Sequence, residues 1–464
     1  MQRGREARKA RAIVTEAATS SEPRYESDFS LRKLKLVTII TIANMFATSL
    51  LPFGAITLVN MPMTREFGWT QAQYGLAMTS LMWCGACTLI FYGRVMDKFG
   101  VRLAIIAGTV GVGLSTLALG FVTQLWQFYL CFALLGIFGS TGIGYTKIVS
   151  ALFTQHRGKA LSLFGVESTL AGAGIPFLLN WLITGFGWRG MFIACGGIIF
   201  ALIPLIYFQI DEPGEINSDR RLVRRRTEAR IDRSASLEGL TQGQILRDRV
   251  FWLIVVATII GTAPRTGMMP SLVPMLLEKG FTQADAVTYM SASSVLALAG
   301  TVVGGWAVDR VNDSRIAIPF KVISFLGLLF FIMASASFGG WYLLGLAMGF
   351  GGFSLGTARP IGTYLHVRFF GLKSFGFYHG FENMFLAFAM GCAPPVVGYL
   401  HDASGSYTSG YVVMLVSLAI GTILYWVLGP YRYAANIGAV PLPPEEPEQV
   451  KQRAGAATIA AATG

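Results

Sequence analysis

The sequence predicts an all-α integral membrane protein, with twelve transmembrane helices in two six-helix bundles related by a pseudo-two-fold axis along the membrane normal. Three observations predict it. Of 464 residues, 53% are hydrophobic and only 13% charged, with mean hydropathy +0.55, whereas a soluble domain carries roughly 25% charge. Apolar windows of about 20 residues, the length that crosses some 30 Å of hydrocarbon, recur along nearly the whole chain. The two halves also repeat one another at a constant spacing.

The spans fall near 36–59, 73–95, 103–122, 126–149, 160–184, 191–210, 250–277, 287–308, 316–337, 341–364, 375–400 and 410–429. Glycine is abundant, at 54 residues, as it is where helices approach closely in lipid. Lys and Arg cluster in the N-terminal tail, after spans 2, 4, 8 and 10, and in the loop between spans 6 and 7. The opposite loops hold only Arg65, Arg189 and Lys279. Such asymmetry places both termini in the cytoplasm of a multi-pass cell-membrane protein. The net charge of +12 then reflects topology. Nucleic acid is disfavoured as a partner, because the bases are spread over membrane-flanking loops.

The domain organisation follows. Residues 1–35 mix Glu6, Glu16, Glu22 and Asp28 with bases and lack an apolar core. They are expected to be a disordered cytoplasmic tail and no signal peptide. Residues 36–210 form the N-terminal bundle, 211–249 a basic cytoplasmic linker containing Arg224, Arg225 and Arg226, and 250–430 the C-terminal bundle. Residues 431–464, rich in Pro, Glu and Ala, read as a second disordered tail. All five cysteines fall in spans, and Cys84-x-x-Cys87 is expected to be small buried packing and not a redox motif.

The repeat has an offset of 212 residues, as from Asp97 to Asp309. Pro52 matches Pro264 and Pro62 matches Pro274. Glu66-Phe-Gly-Trp-Thr-Gln-Ala72 matches Glu278-Lys-Gly-Phe-Thr-Gln-Ala284, and Gly144 and Lys147 match Gly356 and Arg359. One offset across separated blocks implies parallel repeats. Within it, Thr70-x-x-Gln73 and Thr282-x-x-Asp285 predict helix caps at the starts of spans 2 and 8.

Five ionisable residues stand out inside the spans: Lys147 and Glu167 in one half, Arg359 and Glu382 in the other, and Arg265 without a counterpart. Charge in hydrocarbon is costly, so such groups face a cavity, pair, or do both. Lys147 and Glu167 lie at equal distance from the loop at Arg157, and Arg359 and Glu382 from the loop at Arg368 to Lys373. Each pair can therefore form a bridge between adjacent helices, serving either as a structural tie or in coupling and gating. Arg265, flanked by Pro264, Gly261, Gly267 and Pro270, lies about 22 Å along its helix from Val250. Broken helices are tolerated where backbone lines a cavity, and a guanidinium there suits a carboxylate. Snorkelling or bonding to carbonyls at the helix break is the plain alternative. Asn44 and Tyr145 can supply neutral hydrogen bonds to a ligand, or glue helices together. Glu167, Glu382 and His379 are the candidates for carrying a proton. His156, His366 and His401 fall in or near loops and show no metal-ligand spacing, so neither metal nor cofactor is expected.

Gly93-Arg-Val-Met-Asp97-Lys98-Phe-Gly100-Val-Arg102 resembles the signature loop of the Major Facilitator Superfamily. Gly305-Trp-Ala-Val-Asp309-Arg310 is a shorter copy lacking the later glycine. The resemblance implies that spans 1, 4, 7 and 10 line a central cavity. It also implies that Asp97, Lys98, Arg102, Asp309 and Arg310 act in gating. Glu66-Phe-Gly-Trp, Arg157-Gly-Lys-Ala160, Gly187-Trp-Arg189, Arg368-Phe-Phe-Gly-Leu-Lys-Ser-Phe-Gly376 and Gly398-Tyr-Leu-His-Asp402 look like the monocarboxylate-transporter and oxalate–formate-antiporter branch. Departures from it are the lack of a span-1 lysine and of an Asp or Arg within span 8, with Arg265 as the possible substitute.

The sequence thus implies a secondary active transporter, monomeric in function. It would move a small organic anion, a monocarboxylate, with a proton by alternating access, with substrate contacts from Arg265, Asn44, Tyr145, Lys147 and Arg359. Proton-driven efflux of amphipathic compounds and anion exchange are the alternatives. A sensor or scaffold on the same fold would want a large ordered cytoplasmic domain, which the tails and linker do not suggest. An enzyme is disfavoured, because no nucleophile–base or phosphate-binding constellation is present.

Overall fold

The computed structural model describes residues 31–47, 50–152, 157–209, 239–311, 313–337, 340–428 and 431–432. The two expected tails, apart from their few residues in those ranges, and most of the expected linker lie outside them.

The chain is all α-helical, and the helices follow the twelve spans. Span 1 comprises Leu31–Ala47 and Leu50–Phe67, span 2 Gln71–Phe99 and span 3 Val101–Leu119. Span 4 runs through Leu125–Phe138, a tight turn at Gly139–Thr141, and Gly142–Leu152. Spans 5 and 6 share the segment Arg157–Gln209, which turns at Gly187 with φ +69° and ψ 176°. That positive φ is a conformation glycine adopts at little cost. Span 7 comprises Arg249–Met268, a tight turn at Met269–Ser271, and Leu272–Glu278. Spans 8 to 12 are Gln283–Arg310, Ala317–Met333, Gly340–Phe370, Phe375–Ser404 and Thr408–Trp426. Among the described residues, eight segments are long and apolar enough to cross a membrane, and one of them, Phe164–Phe208, is 45 residues long and carries both spans 5 and 6.

Both expected caps form. Thr70 Oγ1 accepts from Gln73 N at 3.2 Å while Gln73 Oε1 accepts from Thr70 N at 3.0 Å. Thr282 and Asp285 repeat the exchange at 3.3 and 2.8 Å. The cysteines divide: Cys131 and Cys195 are buried as expected, whereas Cys87 and Cys392 are exposed on their helices.

The repeat governs the packing. Span 2 lies along span 4 and span 8 along span 10, while span 3 packs on the long segment of spans 5 and 6 as span 9 packs on span 12. Across the halves, span 2 runs along span 11 and span 8 along that same long segment, as a two-fold exchange of bundles requires. Span 11 comes very close to span 2. A Cβ added to Gly398 would lie 2.4 Å from the carbonyl of Gln71, and one on Gly75 would lie 2.8 Å from the backbone of Pro394.

The two ends of the molecule differ. At the end bearing the 1–2 and 7–8 loops, one continuous apolar core joins the halves, from Ile56, Val59 and Tyr74 to Val273, Leu276 and Val287. Hydrogen bonds cross there too, from Thr57 Oγ1 to the Met269 carbonyl (2.9 Å) and from Asn60 Nδ2 to the Pro270 carbonyl (2.8 Å). At the other end each half has its own core, one around Tyr92, Ile105 and Tyr145, the other around Phe251, Phe370 and Tyr378. The described residues are therefore clamped at one end and parted at the other.

Candidate functional site

Span 7 presents Arg265 to the interior of the C-terminal bundle. Pro264 sits within that helix and has no N–H for the ladder. The guanidinium lies across to span 10, donating to the Gly351 carbonyl at 2.7 Å and to Ser354 Oγ at 3.3 Å. Among the described residues no carboxylate bridges it. It points neither to lipid nor to an acid, and it lines a cavity of about 650 Å³.

A second cation shares that cavity. Lys321, five residues into span 9, extends inward, and a Cβ on Gly261 would lie 3.5 Å from its ammonium nitrogen. Gly261 stands one helical turn before Arg265. The ammonium also sits 5.5 Å from the Tyr425 ring centroid, whose hydroxyl is 3.0 Å from Thr258 Oγ1. The expectation of five intramembrane charges was therefore one short. A lysine so near the start of an apolar run has the look of a base snorkelling to the surface, and only packing against spans 7 and 12 shows that it turns inward.

The cavity follows span 10 from Ser354 to His366, about 18 Å at the helical rise. Arg265, Lys321 and Arg359 line it, against the single acid Glu382. Here the structure corrects two expectations. His366 lies within the helix Gly340–Phe370 and is 2% exposed, not in a loop. It is also the partner of Glu382, with 3.0 Å between Nε2 and Oε2, where a bridge from Arg359 had been expected. Residues 366 and 359 are seven apart, two turns of one helix face, so the spacing that suggested the arginine fits the histidine equally well. His379, from the next span, lies beside them, its ring centroid 5.7 Å from that of His366.

The N-terminal half is arranged differently. Glu167, 5% exposed, accepts a hydrogen bond from Asn44 Nδ2 on span 1. Tyr145 is fully buried within the apolar core around Ile105 and Tyr92. Lys147 is exposed on span 4. None of these four lines the described cavity, whose walls come from the C-terminal half alone.

The expected gating residues sit at the parted end. Asp97 occupies the last turns of span 2, but its side chain lies outside the described residues. Lys98 is exposed, with its nitrogen 5.2 Å from the Phe99 ring centroid. Arg102 donates to the Tyr207 carbonyl and lies 4.4 Å from the ring centroid, tying span 3 to span 6. Asp309 and Arg310 are exposed, and Arg310 lies 4.2 Å from the Trp306 ring centroid.

Sequence reasoning missed a cross-half contact at the clamped end. Asp402 on span 11 accepts from the backbone N–H groups of Gln71 and Ala72 at 3.0 and 2.9 Å. A carboxylate at the start of a helix satisfies orphan donors and complements the helix dipole. The acid was visible in the Gly398 to Asp402 motif, but its partner lies 331 residues away.

Two repeated helical bundles, clamped at one end and parted at the other, are the architecture of a membrane carrier that works by alternating access. Comparison with known proteins gives the family. Residues 37–381 match the model of the Major Facilitator Superfamily, and the chain belongs to that family, as a secondary active transporter of small molecules. It is 24% identical over 425 residues to a D-galactonate transporter of Escherichia coli O6:H1, covering 84% of this chain and 95% of that one. It is 25% identical over 331 residues to monocarboxylate transporter 13 of Bos taurus, covering 70% and 73%, and 23% identical over 384 residues to a probable hexose phosphate transport protein of Chlamydia pneumoniae, covering 78% and 83%. Its fold resembles a bacterial homologue of the human lysosomal transporter Spinster, with a TM-score of 0.65 at 14% identity over 86% of this chain and 97% of the other.

Proposed function

We propose that this transporter carries a small organic anion, a monocarboxylate in the simplest case, together with a proton across the cell membrane. The observation that carries this reading is the cavity wall, where three cations face one acid. Fixed positive charge in a space shielded from bulk water attracts anions and repels cations. Arg265 offers a planar fork to one carboxylate, Ser354 adds a hydroxyl beside it, and Lys321 supplies a second charge a helical turn away. The names of two relatives, a D-galactonate transporter and a monocarboxylate transporter, agree with a carboxylate.

Glu382, with His366 and His379, is the proton-carrying group of this reading, since the three share the cavity with the anion-binding cations. Protonating the carboxylate would remove the one negative charge from the wall. With termini cytoplasmic, as the distribution of Lys and Arg supports, the clamped end faces outward and the cavity opens toward the cytoplasm. Each monomer would be a complete unit, with residues 36–210 and 250–430 rocking about the 211–249 linker.

A thermal-unfolding screen of purified protein at two pH values tests the proposal, using mono- and dicarboxylates, sugar phosphates, neutral sugars and organic cations. A ligand at 100 times its Kd stabilises by about 2.7 kcal/mol. Carboxylates should stabilise the protein, more at the lower pH, and Arg265→Lys should lose the effect. Stabilisation by cations or neutral solutes alone would overturn the reading. Uptake into liposomes driven by an imposed pH gradient separates proton symport from anion exchange, which proceeds without one.

A further inference from the structure

We propose that His366, His379 and Glu382 form a binding site for one divalent transition-metal ion of the zinc class, on the cavity wall between spans 10 and 11. One ligand atom from each of the three residues lies within 4.8 Å of the other two. The pair already closest, His366 Nε2 and Glu382 Oε2, is 3.0 Å apart. Zinc binds imidazole nitrogen and carboxylate oxygen at about 2.0–2.2 Å in a tetrahedron, which sets ligands roughly 3.3–3.5 Å from one another. One edge is therefore nearly at the required length, and a small turn of the third side chain completes the triangle.

Aromatic rings brace the two imidazoles. His366 is 2% exposed and packs against the Tyr378 ring, with 5.5 Å between centroids. His379 stacks on Phe375 at 5.3 Å and 20°. The Tyr378 hydroxyl is occupied by the Gly371 carbonyl at 2.9 Å, so it does not compete. Nδ1 of His379 is buried and has no hydrogen-bond partner. Leaving a buried nitrogen unsatisfied is costly, and coordination would relieve it. Two imidazoles and a carboxylate favour zinc, cobalt or nickel over magnesium or calcium, which prefer all-oxygen shells. Three protein ligands leave a fourth position toward the cavity, open to water or to an anion.

Two features keep the affinity modest. Nδ1 of His366 lacks the hydrogen-bonded partner that usually orients a metal-bound imidazole, and such partners are worth roughly 10- to 100-fold in affinity. Arg359, two turns from His366 on the same helix, adds a repelling charge. No ligand-spacing motif announced the site, because the histidines come from two different helices, 13 residues apart in the chain.

The experiment uses the full chain purified without a polyhistidine tag. Calorimetric titration with Zn²⁺ should give one ion per chain, with Kd on the order of 10 µM given the missing second shell. Titration with Co²⁺ should produce the visible absorption bands of a four-coordinate ion. His366→Ala, His379→Ala and Glu382→Gln should each weaken binding at least about tenfold, while His401→Ala should leave it unchanged. His379 is only half-buried, so its variant is the one to trust if His366→Ala fails to fold. Zn²⁺ should raise the melting temperature of the wild type and not of His379→Ala. Absence of the cobalt bands, or equal Zn²⁺ affinity in His379→Ala, overturns the proposal. Neither result depends on which solute is transported.

Discussion

The two halves share a fold and differ in chemistry. In the N-terminal half a buried glutamate meets a neutral amide, Glu167 with Asn44, beside a sealed core that holds Tyr145. In the C-terminal half the corresponding glutamate meets a histidine, Glu382 with His366, on the wall of a cavity that also holds Arg265, Lys321 and Arg359. The shared elements are those that set packing: helix caps, prolines and close-approach glycines. Arg265 and Lys321, both on the cavity wall, have no counterpart at that offset in the other half. A repeat fixes how bundles pack, and divergence between its copies concentrates charge on one side. Under the proposed function, binding and proton exchange would fall to the C-terminal half, and the N-terminal half would be the partner surface against which it moves.

The largest effect should come from removing the fork proposed to anchor an anion. Arg265→Lys keeps the charge but not the geometry, and loss of one bidentate contact of about 3 kcal/mol corresponds to roughly 100-fold in affinity. Lys321→Gln should cost less, on the order of tenfold, as a single charge-assisted bond is worth about 1.5 kcal/mol. Ligand-induced thermal shifts in the two variants measure both. Equal affinities in wild type and Arg265→Lys would remove the asymmetry argued above.

Paired substitutions at the two glutamates sharpen it. Glu382→Gln should abolish the response of transport to an imposed pH gradient. Glu167→Gln should leave that response in place and lower stability by about 1–3 kcal/mol, the usual cost of disturbing a buried hydrogen bond. Uptake into liposomes with and without a gradient, together with thermal unfolding, separates the outcomes. If Glu167→Gln were the variant that lost pH response, the two halves would exchange roles.

Much of this was legible in the sequence. The spans, the offset between halves and the caps at Thr70 and Thr282 are local or periodic signals, and the structure contains them. Arg265 stood out because it is a cation deep in an apolar run. Lys321 did not, because depth is ambiguous within a turn or two of a helix end, and only contacts from spans 7 and 12 turn it inward. His366 was hidden for a related reason. The helix of span 10 continues to Phe370, well past where the apolar pattern fades, so a residue that looked like loop is buried. Pairings between helices, such as Asn44 with Glu167 or Asp402 with the start of span 2, depend on tertiary geometry that no local pattern encodes.

The clamped end gives a test of the motion itself. Gly398 has no room for a side chain against Gln71, so Gly398→Leu should force spans 2 and 11 apart there. The population should then shift toward a form open at that end, read as increased labelling of cysteines placed near the 1–2 and 7–8 loops. Asp402→Ala removes a carboxylate cap at the same contact and should act in the same direction by about 1 kcal/mol, a shift of roughly fivefold in the populations.

The smallest effect compares the repeat with itself. Glu66 and Glu278 occupy equivalent positions and perform the same task, tying the end of the first span of each half to the turn before its last. Glu66 does so with Arg189 at 2.7 Å and Trp188 Nε1 at 2.8 Å, and Glu278 with Ser406 Oγ at 2.7 Å and the Tyr407 N–H at 3.4 Å. The hydrogen bonds from Arg189 and Trp188 hold the Glu66 carboxyl below its ordinary pKa. A depressed carboxyl pKa contributes stability above the unfolded value, and the contribution fades as pH falls through the folded one. The Glu66 side chain is 39% exposed, so solvent screens the pair and Glu66→Gln should cost within about 1 kcal/mol near neutral pH. The gap in melting temperature between wild type and Glu66→Gln should then narrow as pH drops below about 4, the usual carboxylate range. A gap that stayed constant down to that range would mean that the ion pair adds nothing beyond the packing of Trp188 and Phe67, and that the two copies of the repeat are tied equally well without charge.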